Sequence, residues 1–184
     1  MKQKKTTTNV LYLTGLFALI CLLLASCTNS GDLQAKVDDL QKKVDQYEAE
    51  KKLTEERLAR FDSLDFEFYS NQKWDQFNIS HADDIKVYYP DGTTSTGLHP
   101  QHIDLLKPMF VFAPDTKIKT HPVRFGSGEW TAVIGEMEGT FSQPMPIGNG
   151  KTIPPTGKKF KLSMATIGHW GYRWKNERRI PVLG

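Results

Sequence analysis

Apolar residues follow three different spacings along this chain. Nearly every residue from 10 to 24 is apolar, and from Leu33 to Tyr47 apolar residues recur at alternating intervals of four and three. The second spacing is the heptad pattern of a helix with one apolar seam. In the last hundred residues the apolar positions alternate with polar ones, which is typical of strands with one buried face. The pattern therefore predicts an apolar leader, a helical stalk and a folded domain.

The stalk seam consists of five apolar residues: Leu33, Val37, Leu40, Val44 and Tyr47. The same register continues through polar Lys51 and Thr54 to Leu58 and Phe61. Such a helix would hold a domain roughly 40 Å from its anchor, at 1.5 Å per residue. Three alternatives remain: a self-associating coiled coil, a solvated stalk, or a seam that docks on its own domain.

The domain pattern begins near Thr54, which looks like a helix cap followed by acids. Helical spacing continues to Tyr69, and Trp74 and Phe77 fit a second short helix. Alternation then predicts four strands, at residues 84–89, 117–125, 130–141 and 160–170. Helices first and an antiparallel sheet after them predict an α+β domain.

The first 27 residues resemble a bacterial lipoprotein signal. A basic start precedes the apolar run, and Leu24-Ala25-Ser26-Cys27 resembles a lipobox, which would make Cys27 the lipidated first residue of the mature chain. We expect residues 1–26 to be the signal peptide, 27–53 a lipid-anchored spacer and 54–184 the domain. The alternatives are an uncleaved anchor and an ordinary signal peptide. Lipidation predicts a bacterial cell-envelope location, and Thr28 favours the outer membrane where there is one.

Charge and cysteine content exclude several kinds of chemistry. The chain has 24 Lys+Arg against 21 Asp+Glu, and the excess of three lies in the basic start. A neutral mature chain gives no electrostatic reason to bind nucleic acid. Cys21 leaves with the signal peptide, so an intrachain disulfide, thiol catalysis and a thiolate metal site are excluded. The histidines show no metal-ligand spacing and no phosphate-binding loop is present, so we expect neither a metal nor a cofactor.

Three segments resemble the SnoaL-like polyketide cyclase family of the nuclear transport factor 2-like superfamily. They are residues 81–92, the Glu138-Gly139-Thr140-Phe141 strand end, and 153–160 with its Pro-Pro-Thr-Gly-Lys sequence. The resemblance covers about residues 58–175. It implies a cone-shaped, curved antiparallel sheet wrapped on N-terminal helices, with an apolar pocket. It also implies a homodimer formed through the outer face of the sheet.

The C-terminus departs from that family. Family members commonly continue with a strand that closes the sheet, whereas this chain ends Glu177-Arg178-Arg179-Ile180-Pro181-Val182-Leu183-Gly184. Because proline is excluded from the interior of central strands, we expect the closing strand to be missing. A frameshift and a natural truncation are the two explanations.

Aspartate and histidine supply acid and base in cyclases of this fold, so the histidines are the candidates here. His169, in the last predicted strand, is the best placed, since a neutral imidazole suits proton transfer beside a carbonyl; packing against Trp170 is its alternative. His121 precedes Pro122, which indicates an edge strand and argues against a pocket role. His81 fits a turn or cap, and His99 and His102 fit the surface.

Two further sets of residues complete the expectations. Many family members have histidine where this chain has Phe141, so one acid or base is absent. Glu136 and Glu138 share one face of a strand, and the apolar alternation of their neighbours places both outside the cone. The expected pocket lining, which any apolar core would also use, is Tyr69, Trp74, Tyr89, Met137 and Phe141.

The function expected from the sequence is binding of a small apolar or carbonyl-bearing molecule, with cyclase or isomerase chemistry centred on His169. The alternative is a non-catalytic dimerising interaction module of the cell envelope, and a decayed gene product is the third hypothesis.

Overall fold

The structure, a computed structural model, describes the backbone of residues 4–171 and 176–182 and the side chains of residues 30–171. These residues form two compact units, Met1–Ala49 and Glu50–Gly184. The predicted signal peptide and Cys27 lie outside the residues whose side chains are described. Among residues 30–171, whose side chains are described, no helix has the length and apolarity needed to cross a membrane.

Helices occupy the first part of the chain and the segment before the main strands. Helix α1 spans Lys4–Ser63 and is followed by a π-helical turn at Leu64–Tyr69 and a 3-10 helix at Trp74–Ile79. A second helical segment consists of a π-helical turn at Leu98–His102, α2 at Ile103–Leu106 and α3 at Pro108–Phe112.

The described backbone contains eight strands: β1 (His81–Tyr88), β2 (Thr94–Thr96), β3 (Lys117–Ser127), β4 (Trp130–Thr140), β5 (Met145–Pro146), β6 (Thr152–Ile153), β7 (Lys159–Trp170) and β8 (Asn176–Val182). Six of them form one sheet in the order β2-β1-β8-β7-β4-β3, while β5 and β6 pair separately. Neighbours in the large sheet are antiparallel except β1 and β8. The predicted α+β class and the four predicted strands are confirmed, with their ends shifted by a few residues.

The two faces of β4 differ in burial as its sequence predicts. Thr131, Val133, Gly135, Met137 and Gly139 are buried, whereas the residues between them are only half-buried. Glu136 and Glu138 belong to the second set and lie on the outer face, as expected. Burial of alternate residues means that one face of the sheet covers the core.

The expectation that the closing strand is missing is wrong. The backbone of Asn176–Val182 forms β8, which lies between β1 and β7. Its pairing with β1 ends at Arg179, so Pro181 pairs only with Thr166 of β7. Pro181 therefore lies where one side of the strand has no neighbour, which a proline tolerates. The frameshift itself stays a prediction, which sequencing the gene in both shifted frames would test.

Two apolar clusters fill the space beneath the sheet. The smaller contains Leu58, Phe61, Val133 and Trp170. The larger contains ten buried residues: Leu64, Tyr69, Phe77, Ile85, Val87, Leu98, Ile103, Phe110, Ile118 and Met137. Leu58 and Phe61 thus pack in the core of their own unit, so this end of the heptad seam is docked rather than free.

Candidate functional site

The end of α1 and the strand β3 bring two carboxylates and a histidine together. Asp62 and Asp65 are three residues apart at the helix end and therefore share one face. His121 reaches them from β3, where the register against β4 shifts between Thr120 and Val123. Such a bulge redirects a side chain and removes the need for one ladder hydrogen bond. This explains how Pro122 is accommodated and why His121 points inward.

Both ring nitrogens of His121 contact a carboxylate. Nδ1 lies 2.7 Å from Oδ1 of Asp62, and Nε2 lies 3.0 Å from Oδ2 of Asp65. The side chains of His121 and Asp65 are 1% and 2% exposed, whereas that of Asp62 is 26% exposed. Asp62 also pairs with Arg124, which is half exposed. We call Asp62, His121 and Asp65 the triad; Asp62 is its solvent-facing member.

The triad favours the charged form of the imidazole. Burial lowers the pKa of His121, but the hydrogen bonds and charges of Asp65 and Asp62 raise it, and the result lies above the ordinary 6.5. A charged ring can donate from both nitrogens at once, as two flanking carboxylate acceptors require. The two carboxylate contacts therefore indicate an imidazolium, and the raised pKa of His121 agrees with it.

Apolar groups surround the triad. The His121 ring lies 4.6 Å from that of Phe66 and 5.9 Å from that of Phe61, measured between ring centroids. Gly135 lies on the neighbouring strand, where an added Cβ would stand 3.7 Å from the ring atoms Cδ2 and Nε2. Its neighbours in β4, Val133 and Met137, belong to the two different apolar clusters. The triad is thus a polar centre between two apolar clusters.

The raised pKa of His121 predicts a pH-dependent stability. A folded pKa above the unfolded value gives a stabilisation that is complete below pH 6.5 and is lost as the pH rises through the folded pKa. Chemical unfolding below and above this pH range measures the loss of stability. In His121→Gln this pH dependence should be absent. His99→Gln, at an exposed histidine, is the matched control. An unchanged pH dependence in His121→Gln would contradict the assignment.

His169 does not point into the cone, so its predicted placement is wrong. It is paired in register with Trp130 on the outer face, while Gly168 and Trp170 on either side of it are buried. Its ring lies 4.5 Å from the ring of Trp130, and its Nε2 lies 3.2 Å from Oε2 of Glu129. The inner position belongs instead to Trp170, whose Nε1 donates to Thr131.

The five residues expected to line a pocket take part in packing and hydrogen bonding. Tyr69 and Met137 are buried in the larger apolar cluster, and Trp74 packs against the same cluster. Tyr89 binds His102 Nδ1 through its hydroxyl at 2.9 Å, and Phe141 packs edge-on against Phe112. The structure therefore uses them for packing.

The surface position expected for His102 is wrong, whereas His81 lies at the junction where it is expected. His81 is buried and stacked on Phe77 at the predicted junction between helix and strand. His102, expected at the surface, is 2% exposed and 5.4 Å from the His81 ring. The hydroxyl of Tyr89 joins it to Ser95. His99 is exposed as expected, and Asp91 accepts hydrogen bonds from Thr93 in its turn.

A cavity of about 450 Å³ lies at the ends of strands β3, β4 and β7. Its lining comprises Asp115, Lys117, Lys119, Glu138, Gly139, Thr140, Lys159, Phe160 and Lys161. Two of these lysines are already paired with acids, Lys119 with Glu138 at 2.8 Å and Lys161 with Glu136 at 2.9 Å. These contacts form a ladder of cross-strand charge pairs, which is a common way to stabilise a sheet. Within the described side chains, no group of three or more His, Cys, Asp or Glu is arranged to hold a metal.

Comparison with solved structures identifies the fold. No protein-family model and no curated protein matches the chain. A protein from Jannaschia sp. CCS1, assigned to the SnoaL-like polyketide cyclases, superposes with a TM-score of 0.59 at 13% identity, covering 71% of this chain and 86% of its own. IdmH from Streptomyces antibioticus, assigned as a polyketide cyclase, gives a TM-score of 0.57 at 17% identity, covering 68% and 90%.

A third similar structure is a protein with a ketosteroid isomerase-like fold from Catenulispora acidiphila, crystallised with trimethylamine. Its TM-score is 0.52 at 13% identity, and the match covers 71% of this chain and 87% of that chain. The class of protein is therefore an α+β protein with a curved sheet on N-terminal helices. Its fold is the one that these solved structures share, as the sequence resemblance implies.

Proposed function

We propose that the domain binds a small apolar or carbonyl-bearing molecule and transfers a proton to or from it, as a cyclase or isomerase does. One observation carries the proposal: a histidine paired with two carboxylates lies between two apolar clusters, next to a glycine on the facing strand. Titratable groups concentrated in an apolar interior are a mark of functional sites. The proposed chemistry therefore moves from His169 to the triad.

Each member of the triad has a distinct role in this proposal. Asp62 is the base, because it is the member that solvent reaches, and Arg124 and His121 orient its carboxylate. It removes a proton from a carbon beside a carbonyl group, and the electron pair of the broken C–H bond moves onto the carbonyl oxygen. His121 holds Asp62 in place through Nδ1, while Asp65 fixes the ring through Nε2. Asp65 is thus a positioning residue.

The similar structures support binding of a small molecule. Two of them are assigned as polyketide cyclases, and a third was crystallised with trimethylamine. Cyclases act on carbonyl compounds, whose adjacent C–H groups are acidic enough for a carboxylate base held in an apolar site. This chemistry fits a partly exposed aspartate better than it fits the outer-face His169.

Exchange of deuterium beside a carbonyl tests the proposal. Cyclohexanone and α-tetralone in D2O serve as probes, with exchange followed by NMR. General acid and base groups contribute about 10² to 10⁴ in rate, so His121→Gln and Asp62→Asn should lose catalysed exchange by factors in that range. His169→Gln and His99→Gln should retain it. Equal exchange by the unsubstituted protein and His121→Gln, or loss in His169→Gln alone, would contradict the proposal.

The second candidate function is a non-catalytic module that dimerises through its sheet. The observation in its favour is an apolar strip on the outer face, where Val123, Phe125 and Trp130 are 46%, 64% and 44% exposed. Contiguous exposed apolar surface commonly marks a protein interface. Sedimentation of the unsubstituted chain and of Phe125→Glu tests this candidate: it predicts a dimer that the substitution dissociates, and a monomer in both would contradict it.

We also propose that the protein is anchored in a bacterial cell envelope by lipid on Cys27. The Leu24-Ala25-Ser26-Cys27 sequence after a basic start and an apolar run supports this. More than one acyl chain on a single residue is sufficient for stable anchoring. The intact mass of protein extracted from host membranes should correspond to lipidated Cys27 through Gly184. An unlipidated or uncleaved chain would contradict the proposal.

A further inference from the structure

The stalk carries an apolar stripe that no described side chain of its own unit covers. The five seam residues are each between 48% and 68% exposed: Leu33, Val37, Leu40, Val44 and Tyr47. Polar side chains on the rest of this helix segment form contacts along it, such as Lys36 with Asp32 and Lys43 with Asp39. An amphipathic helix of this kind gains stability when its apolar face is packed against a partner.

The exposed stripe has a defined end. The same heptad register continues to Leu58 and Phe61, but these two residues are buried in the core of the domain unit. Between them and Tyr47 the seam positions are Lys51 and Thr54, neither of which is a large apolar residue. The unpartnered face is therefore Leu33 to Tyr47, about 21 Å long at 1.5 Å per residue.

The residue types at the seam select one kind of partner. Spacing of four from Leu33 to Val37 and three from Val37 to Leu40 assigns valine to heptad position a and leucine to position d. Position a then holds Val37 and Val44. A β-branched residue at a with leucine at d favours a parallel, two-stranded coiled coil. We propose that the seam pairs in register with the same seam of a second copy of this chain.

The charges beside the seam fit this parallel arrangement. In a parallel pair, position g of one helix lies beside position e of the next heptad in its partner. Lys43 occupies g and Glu48 occupies e, so each Lys43 would lie beside Glu48 of the second copy, twice in the dimer. In the single chain Lys43 binds Asp39 at 2.7 Å, but both side chains are more than half exposed. Such an exposed ion pair contributes little to stability, so Lys43 can leave Asp39 and contact Glu48 of the second copy.

The proposed helix pairing is confined to the exposed stripe. Lys51 occupies position a beyond Tyr47 and is exposed, so parallel pairing beyond that point would bring two lysines together. A seam of little more than two heptads is short for an independent coiled coil. Confining two chains to one membrane surface raises their effective concentration and favours pairing. The inference does not depend on the proton-transfer proposal.

Disulfide cross-linking of the full chain in bacterial membranes tests the inference. Single cysteines are placed at the two ends of the seam, Leu33→Cys and Tyr47→Cys, in a chain that also carries Cys21→Ser. Each has a matched control two residues away on the opposite helix face, Ala35→Cys and Ala49→Cys. Parallel pairing brings identical d positions close enough for a disulfide, whereas opposite faces are too far apart.

We expect both seam variants to give several times more cross-linked dimer than their controls after mild oxidation. Lys43→Glu should reduce cross-linking of Leu33→Cys, and the added exchange Glu48→Lys should restore it. Equal cross-linking by seam and control variants would show that the chains meet by random collision without pairing, and it would overturn the inference. Cross-linking only when Leu33→Cys and Tyr47→Cys chains are mixed would overturn it in favour of antiparallel pairing, and absence of any cross-link would also refute it.

Discussion

Replacing Asp65 by alanine is expected to destabilise the domain by about 3 to 5 kcal/mol, the usual loss when one partner of a buried ion pair is removed. His121 would then keep a buried ring with a single carboxylate contact, and its Nε2 would lose the acceptor that now lies 3.0 Å away. With both side chains almost fully buried, water cannot easily replace the lost contact. Chemical unfolding of Asp65→Ala near neutral pH measures the loss.

Two further substitutions separate charge from packing at this position. Asp65→Asn keeps the size of the side chain and one oxygen acceptor, so a smaller loss is expected. Asp62→Ala removes the other carboxylate at a site that is 26% exposed, where water can reach the vacated position. Equal losses for Asp65→Ala and Asp62→Ala would show that burial does not set the strength of these contacts.

Phe61→Ala is expected to lower the free energy of unfolding by about 3 to 5 kcal/mol, as Asp65→Ala does. This loss is typical when a buried aromatic side chain is truncated. Phe61 is fully buried, and its ring packs edge-on against His121 and Trp170. The substitution would remove the side chain through which the smaller apolar cluster contacts His121. It should therefore also weaken the pH dependence of stability, since water would enter beside His121.

The same substitution on the outer face provides the control for Phe61. Phe125 is 64% exposed, so Phe125→Ala should change the unfolding free energy by less than about 0.5 kcal/mol. Unfolding curves of the two variants at one protein concentration give the comparison. A large loss in Phe125→Ala would show that the outer face is covered in solution, as the dimerising alternative requires. A small loss in Phe61→Ala would contradict the described core.

Local patterns in the sequence predicted most of the main sheet. Burial alternates along β4 as its apolar residues do, and the predicted ends of β3 and β7 lie within two residues of those observed. The C-terminal strand was missed because Pro181 argues against a central position when the register is unknown. Only the pairing shows that β1 has ended before Pro181, which leaves that side of β8 unpaired.

The triad could be predicted only in part. Asp62 and Asp65 directly follow Phe61 and Leu64 in the helical pattern, and carboxylates next to buried positions are a sequence signal. Pro122 correctly indicates an edge strand, since β3 lies at the edge of the sheet. The inward direction of His121 depends on a bulge, and a one-residue change of register reverses the face of a side chain. No local pattern encodes that bulge.

Pocket and core residues cannot be told apart from sequence alone. Tyr69, Trp74 and Met137 have the size and apolarity of ligand-contacting residues, yet they pack in or against the larger cluster. The same residue types serve both purposes, and their use depends on how completely neighbouring side chains fill the space. His169 was misplaced for a related reason, since alternation places it outside only once the inner face of β7 is known.

The protonation of His121 is the most direct test of the account, because the triad requires an imidazolium between two carboxylates. Titration of the ring nitrogens by 15N NMR, in the unsubstituted chain and in Asp65→Asn, measures it. Both nitrogens should carry a proton at neutral pH, and the pKa of His121, which lies above the ordinary 6.5, should fall in Asp65→Asn. A neutral ring with one N–H and a pKa below 6.5 would contradict it.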